Sequence, residues 1–157
     1  MMDANFASQL ILILTSAVLF YVAANDLREL KIRNELLIVL TVLFFAHALV
    51  SGRWVQLHWN IGLAVISFIV MLSWYGQGLM GGGDLKLLTV ALLWTGTRCV
   101  LPFLVIMVGV ALLHALLGYL GWIRVQHVQN RMKVAFAPSI AAGLIGVFML
   151  GCLRPIH

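Results

Sequence analysis

The chain has 157 residues, 63% of them hydrophobic and only 10% charged, with a mean hydropathy of +1.07; an ordinary soluble domain carries about 25% charged residues. So few polar side chains could not cover a water-soluble fold. The net charge of +5 does not point to nucleic acid either, because the basic residues are scattered through short segments between apolar runs, where they report topology in a lipid bilayer.

Six helices are expected in chain order, at 8–24, 36–50, 57–74, 84–95, 100–122 and 134–151. They describe an all-α, polytopic integral membrane bundle, with residues 1–157 as a single membrane-embedded domain. Most of the uncharged runs approach the roughly 20 residues that cross about 30 Å of hydrocarbon. The first run has no basic residue before it, the earliest being Arg28, so it is expected to remain as a span and not to be removed as a signal peptide. The fourth is short, rising about 18 Å at 1.5 Å per residue.

Six spans put both termini on one side. Segments 26–35, 75–83 and 124–133, with the adjoining Lys86, carry Arg28, Lys31, Arg33, Lys86, Arg124, Arg131 and Lys133, against Arg53, Arg98 and Arg154 elsewhere. This excess predicts that the first set faces the cytoplasm, in an inner membrane protein with both termini outside.

The acidic residues are Asp3, Asp26, Glu29, Glu35 and Asp84. Asp26 closes the first expected helix, and Asp84 follows Gly81, Gly82 and Gly83 and opens the fourth. Helix capping alone would account for Asp84. It does not account for Asp26, since a helix C-terminus disfavours negative charge. Two carboxylates sharing one membrane face can hold a water between them. Like charges that close do not both ionise cheaply, so one acts as general base and the other, protonated, donates to a carbonyl. The clustered glycines Gly76, Gly78, Gly81, Gly82 and Gly83 permit left-handed backbone and close approach of another chain, and their free N–H groups could pair with an extended substrate as an added strand.

Other polar residues have simpler readings. Lys86 reaches toward headgroups or contacts substrate; Asn34 caps the second helix or hydrogen-bonds the active-site loop. His114, mid-span, is expected in an interhelical hydrogen bond. His47, His58 and His127 show no ligand spacing, and neither metal nor cofactor is expected. Trp54, Trp59, Trp74, Trp94 and Trp122 fall near span ends as an aromatic belt would. Gly118, Gly121, Gly143 and Gly146 allow close helix packing. Cys99 and Cys152 are the only cysteines, too few for a four-thiolate zinc site, and a disulfide between them is the minority reading.

Three stretches carry a family resemblance. The run from Asp26 through Arg28, Lys31 and Ile32 to Asn34 resembles the motif of type IV prepilin peptidases, an Asp at a helix end followed by basic residues and Ile-x-Asn. The run Gly81, Gly82, Gly83, Asp84 is similar to the Gly-x-Gly-Asp signature of these enzymes and of preflagellin and presenilin-like peptidases. Residues 135–143, with Pro138, look like the start of the family's last helix. The resemblance implies an aspartyl endopeptidase, a membrane hydrolase, with Asp26 and Asp84 as its catalytic pair and Gly81, Gly83, Lys86 and Asn34 in the active-site loop or positioning substrate. It also implies cleavage of a prepilin-like leader at the cytoplasmic membrane face, in a type IV pilus or secretion system. No Cys-x-x-Cys pair is present, so N-methyltransferase activity is not expected, and the small size resembles the peptidases of tight-adherence (Flp) pili. Arg33 stands where the family usually has Pro. The alternative is a non-enzymatic six-helix transporter or a pilus or secretion assembly subunit. Transporters often show internal repeats around a midplane site, and no repeat is visible here.

Overall fold

The computed structural model describes residues 2–29, 32–52, 54–78, 80–120, 126–128, 131–133 and 136–152. Among them are helices α1 (Met2–Glu29), α2 (Asn34–Val50), α3 (Trp54–Gly76), α4 (Gly82–Tyr119) and α5 (Ala137–Met149). Two short strands, β1 (Gln126–Val128) and β2 (Arg131–Lys133), pair antiparallel with Gln126 opposite Lys133. Among the described residues three helices are long and apolar enough to cross a membrane, α1 from Phe6, α3 from Gln56, and α4; α2 and α5, at 17 and 13 residues, are shorter.

The described residues are almost entirely helical, as expected. Five helices are counted because the expected fourth and fifth are the two arms of α4, joined across a kink at Gly96, and a short β-hairpin occupies part of the expected loop 124–133. Helix α1 is longer at both ends than 8–24, which places Asp26 inside its last turn.

Helix α4 is not straight. Gly96 has φ 57 and ψ −168, a left-handed region open to glycine at little cost. The chain reverses there. The arm before it, 82–95, runs beside α2 in the same direction, with Lys86 on Asn34 and the Trp94 indole donating to Leu40 O at 3.1 Å. The arm after it, 97–119, runs antiparallel to α5, pairing Cys99 with Cys152, Ile106 with Gly146, Met107 with Gly143 and His114 with Ser139. A side chain on Gly96 would also overlap the Asn60 amide, so the reversal is tied to α3.

These contacts define two ends of the bundle. At one end Asp26 meets the start of α5, Ile32 meets Gly83 and Asn34 meets Lys86. At the other, Ser8 Oγ lies 3.0 Å from His47 Nε2, and Trp94 packs against Phe44, His47 and Phe148 with ring centroids 5.3 to 5.6 Å apart. The core between them contains Leu19, Val22, Leu40, Leu87, Phe103, Ile140, Leu144 and Val147. Missing side chains at Gly143 and Gly146 let Phe103, Met107 and Ile106 approach the α5 backbone, with a Cβ at either position falling 2.8 to 3.1 Å from them. Trp59 and Trp74 face outward, whereas Trp94 is 1% exposed: it is a core residue and not part of a belt. Trp122 and the side chain of Trp54 lie outside the described residues.

Candidate active site

Asp26 is 4% exposed, deep in the last turn of α1. A buried carboxylate there needs a donor, and α1's own C-terminal carbonyls supply none. The donor comes from α5: the backbone N–H of Ala137 donates to Asp26 Oδ2 at 3.3 Å. Ala137 is the first residue of α5 and Pro138 follows it, so the second residue of the turn has no N–H to offer. The third, Ser139, donates its N–H to Phe136 O at 3.1 Å, which leaves Ala137 to face Asp26. The positive end of α5 thereby offsets the negative end of α1.

Asp84 lies in the first turn of α4, three residues after its N-cap, Gly81. Its carboxyl folds back over that cap, with Oδ2 only 3.0 Å from where a Gly81 Cβ would be. The two neighbouring glycines are crowded by other partners: a Cβ on Gly82 would lie 3.3 Å from the Tyr75 ring and one on Gly83 3.2 Å from Ile32 Cβ. Each glycine admits a different neighbour, and none of the three has a positive φ. Close approach is therefore the reason for this run of three, and the left-handed backbone expected of the glycine cluster occurs at Gly78, with φ 72. Gly82 and Gly83 are also already helical, so the expected strand-like pairing surface is reduced to Gly81, whose backbone is extended at φ −73 and ψ 143.

Asn34 is the first residue of α2, after an Arg33 N-cap that makes no side-chain capping bond. Its side-chain oxygen accepts from Lys86 Nζ at 3.1 Å. Both residues are exposed. With the contact between Ile32 and Gly83, this bond joins the two motif segments directly. Arg33 pairs with Glu35 at 2.7 Å, both well exposed, an ion pair that water screens and that contributes little.

The sequence-predicted residues Asp26, Asn34, Gly81, Gly83, Asp84 and Lys86 thus gather at one end. His114 Nδ1 lies 3.4 Å from Ser139 Oγ, an interhelical contact near the start of α5. His47 belongs to the opposite end. Among the described residues no group of three or more His, Cys, Asp or Glu could hold a metal ion. Cys99 and Cys152 are bonded as a disulfide, against the minority weight the sequence reading gave that pairing; it ties the chain just beyond the α4 reversal to the segment after α5.

Two participants were missed in the sequence, and so was the role of a third. Nothing there pointed to Tyr75, and the Ala137 N–H is a backbone group with no residue signature. Ile32 was recognised as part of a motif, but its role as the wall against Gly83 was not.

No curated protein and no solved structure matches the chain. The sequence profile of one family does match, over residues 13–119, a stretch holding Asp26, Asn34, the three glycines, Asp84 and Lys86 and ending before α5. With well over half of its length matched, including both segments that meet at the aspartate end, the chain belongs to the type IV leader peptidase family.

Proposed function

We propose that the protein, as one membrane-embedded domain over 1–157, is an aspartyl endopeptidase that removes the leader from prepilin-like substrates without methylating the new N-terminus. Asp26 and Asp84 are the catalytic pair. One carboxylate takes a proton from the attacking water while the other, protonated, donates to the scissile carbonyl oxygen; the tetrahedral intermediate then collapses as a proton passes to the leaving amine. The observation that carries this reading is that Asp26, buried against the Ala137 N–H, and Asp84, in the first turn of α4, belong to segments that touch through Ile32 and Gly83. The basic excess around these segments supports placing them at the cytoplasmic face of the inner membrane with both termini outside, each α4 arm then counting as one of six spans. Gly81, Gly83, Lys86 and Asn34 shape and position the loop at which the leader is cut.

The test is co-expression with a candidate prepilin, the substrate being sought first in a neighbouring reading frame that encodes a short protein with a Gly-x-x-x-x-Glu leader junction. The unaltered chain removes the leader, and Asp26→Asn and Asp84→Asn each stop removal. Processing that survives either substitution contradicts the paired mechanism.

A further inference from the structure

Between α2, α3 and the first arm of α4 runs an open groove of about 510 Å³. Leu37, Thr41, Thr89 and Val90 form its deeper wall, and Val42, Phe45 and Phe68 stand along its exposed rims. The two threonine hydroxyls already donate to Leu37 O and Leu85 O at 2.8 Å, so the wall presents methyl and methylene groups only. Asn34 and Lys86 line the groove at the aspartate end. From Asn34 to Phe45 the wall follows α2 for about 16 Å at 1.5 Å per residue, roughly half the thickness of a hydrocarbon core.

We propose that this groove receives the apolar helix of the substrate with its N-terminal end beside Lys86, so that the ammonium meets the acidic residue of the leader junction named above. The proposal rests on the peptidase reading above, in which the cut falls just before such a helix. In hydrocarbon an apolar segment keeps its helix because no water satisfies its backbone, and a trough between neighbouring helices accepts the side-chain ridge of another. The groove begins at the aspartate end of the bundle, where Lys86 bonds Asn34 beside the contact of Ile32 with Gly83. Charge agrees with this placement of the acidic residue. Lys86 is bonded to the neutral Asn34 and makes no ion pair among the described residues, so the positive N-terminal end of an incoming helix would be repelled unless a carboxylate came with it.

The experiment places a photo-crosslinking amino acid at Val42, Phe45 or Phe68, one at a time, in the full chain carrying Asp84→Asn to arrest cleavage, in membranes containing a tagged prepilin. Val105, 72% exposed on the second arm of α4, is the control. Prepilin adducts at the groove positions are expected at about tenfold or more over Val105, a difference of about 1.4 kcal/mol. In the uncrosslinked enzyme, Lys86→Glu is expected to raise KM for the prepilin, and reversing the substrate's acidic junction residue to lysine to restore it. If the parent enzyme cleaves the prepilin but groove adducts are with lipid alone, or no more frequent than at Val105, the groove assignment is overturned and the peptidase reading stands. Failure of the charge reversal to restore KM overturns the acidic contact. A parent enzyme that cleaves no prepilin overturns both readings.

Discussion

The N–H of Ala137 reaches Asp26 Oδ2 at 3.3 Å across a sequence separation of 111 residues, so the first residue of α5 holds a carboxylate at the last turn of α1. A hydrogen bond to a charged group contributes about 1.5–3 kcal/mol. Ala137→Pro removes this donor and also strains Phe136, whose φ −94 and ψ −24 a following proline disfavours; it is expected to lower kcat by about 10- to 100-fold. Ala137→Gly keeps the N–H and is expected to retain most activity. Leader removal by the purified variants in detergent checks both, and equal activity in the two would contradict a positioning role for the bond.

Gly83 faces Ile32, and a Cβ there would lie 3.2 Å from Ile32 Cβ, so a larger side chain must push Ile32 aside. Gly83→Val is expected to abolish leader removal while the protein still inserts, since overpacking of this kind costs about 1–3 kcal/mol and acts on the turn bearing Asp84. The smaller change Gly83→Ala is expected to be partly rescued by Ile32→Ala. Membrane fractionation with a cleavage assay separates misinsertion from loss of activity.

The α4 reversal has its own signature. Gly96→Ala forces a side chain into a positive-φ backbone that is essentially restricted to glycine, costing about 1–3 kcal/mol, and into the Asn60 amide. A clear fall in melting temperature is expected. Asn60→Ala in the same chain should recover only part of it, because the backbone strain remains.

How much of this was legible in the sequence varied with the physics behind each feature. The start of α4 at the glycines and Asp84 was readable, because a helix-breaking run beside a capping residue is a local signal. That Asp26 and Asp84 lie toward one end was also readable from the alternation of apolar runs. The α4 reversal appeared only as a gap between two expected helices, because Gly96 keeps helical hydrogen bonding on both sides of a single left-handed residue. Trp94 was assigned to the membrane boundary from its position, but its indole finds Leu40 O inside the bundle, a tertiary partner that spacing does not reveal. The Ala137 donor was illegible for the same reason: backbone groups are the same at every position until the fold selects one.

The bond between Cys99 and Cys152 predicts that native, unreduced protein resists thiol alkylation and that reductant exposes both thiols. Loss of this tie, by reduction or by Cys99→Ser with Cys152→Ser, is expected to lower the melting temperature by a comparable amount in each case. Mass spectrometry after alkylation gives the first answer, and two reactive thiols in the unreduced protein would contradict the pairing.

The central claim is that Asp26 and Asp84 act as one catalytic unit. Its most direct test is the rate of leader removal from a purified prepilin by the parent enzyme, by Asp26→Asn, by Asp84→Asn and by the double variant, each inserted at equal levels. The account predicts that either single change lowers kcat by about the same factor and that the double change costs little more, as expected for residues acting together. Activity retained by either single variant, or losses that multiply in the double variant, would contradict it.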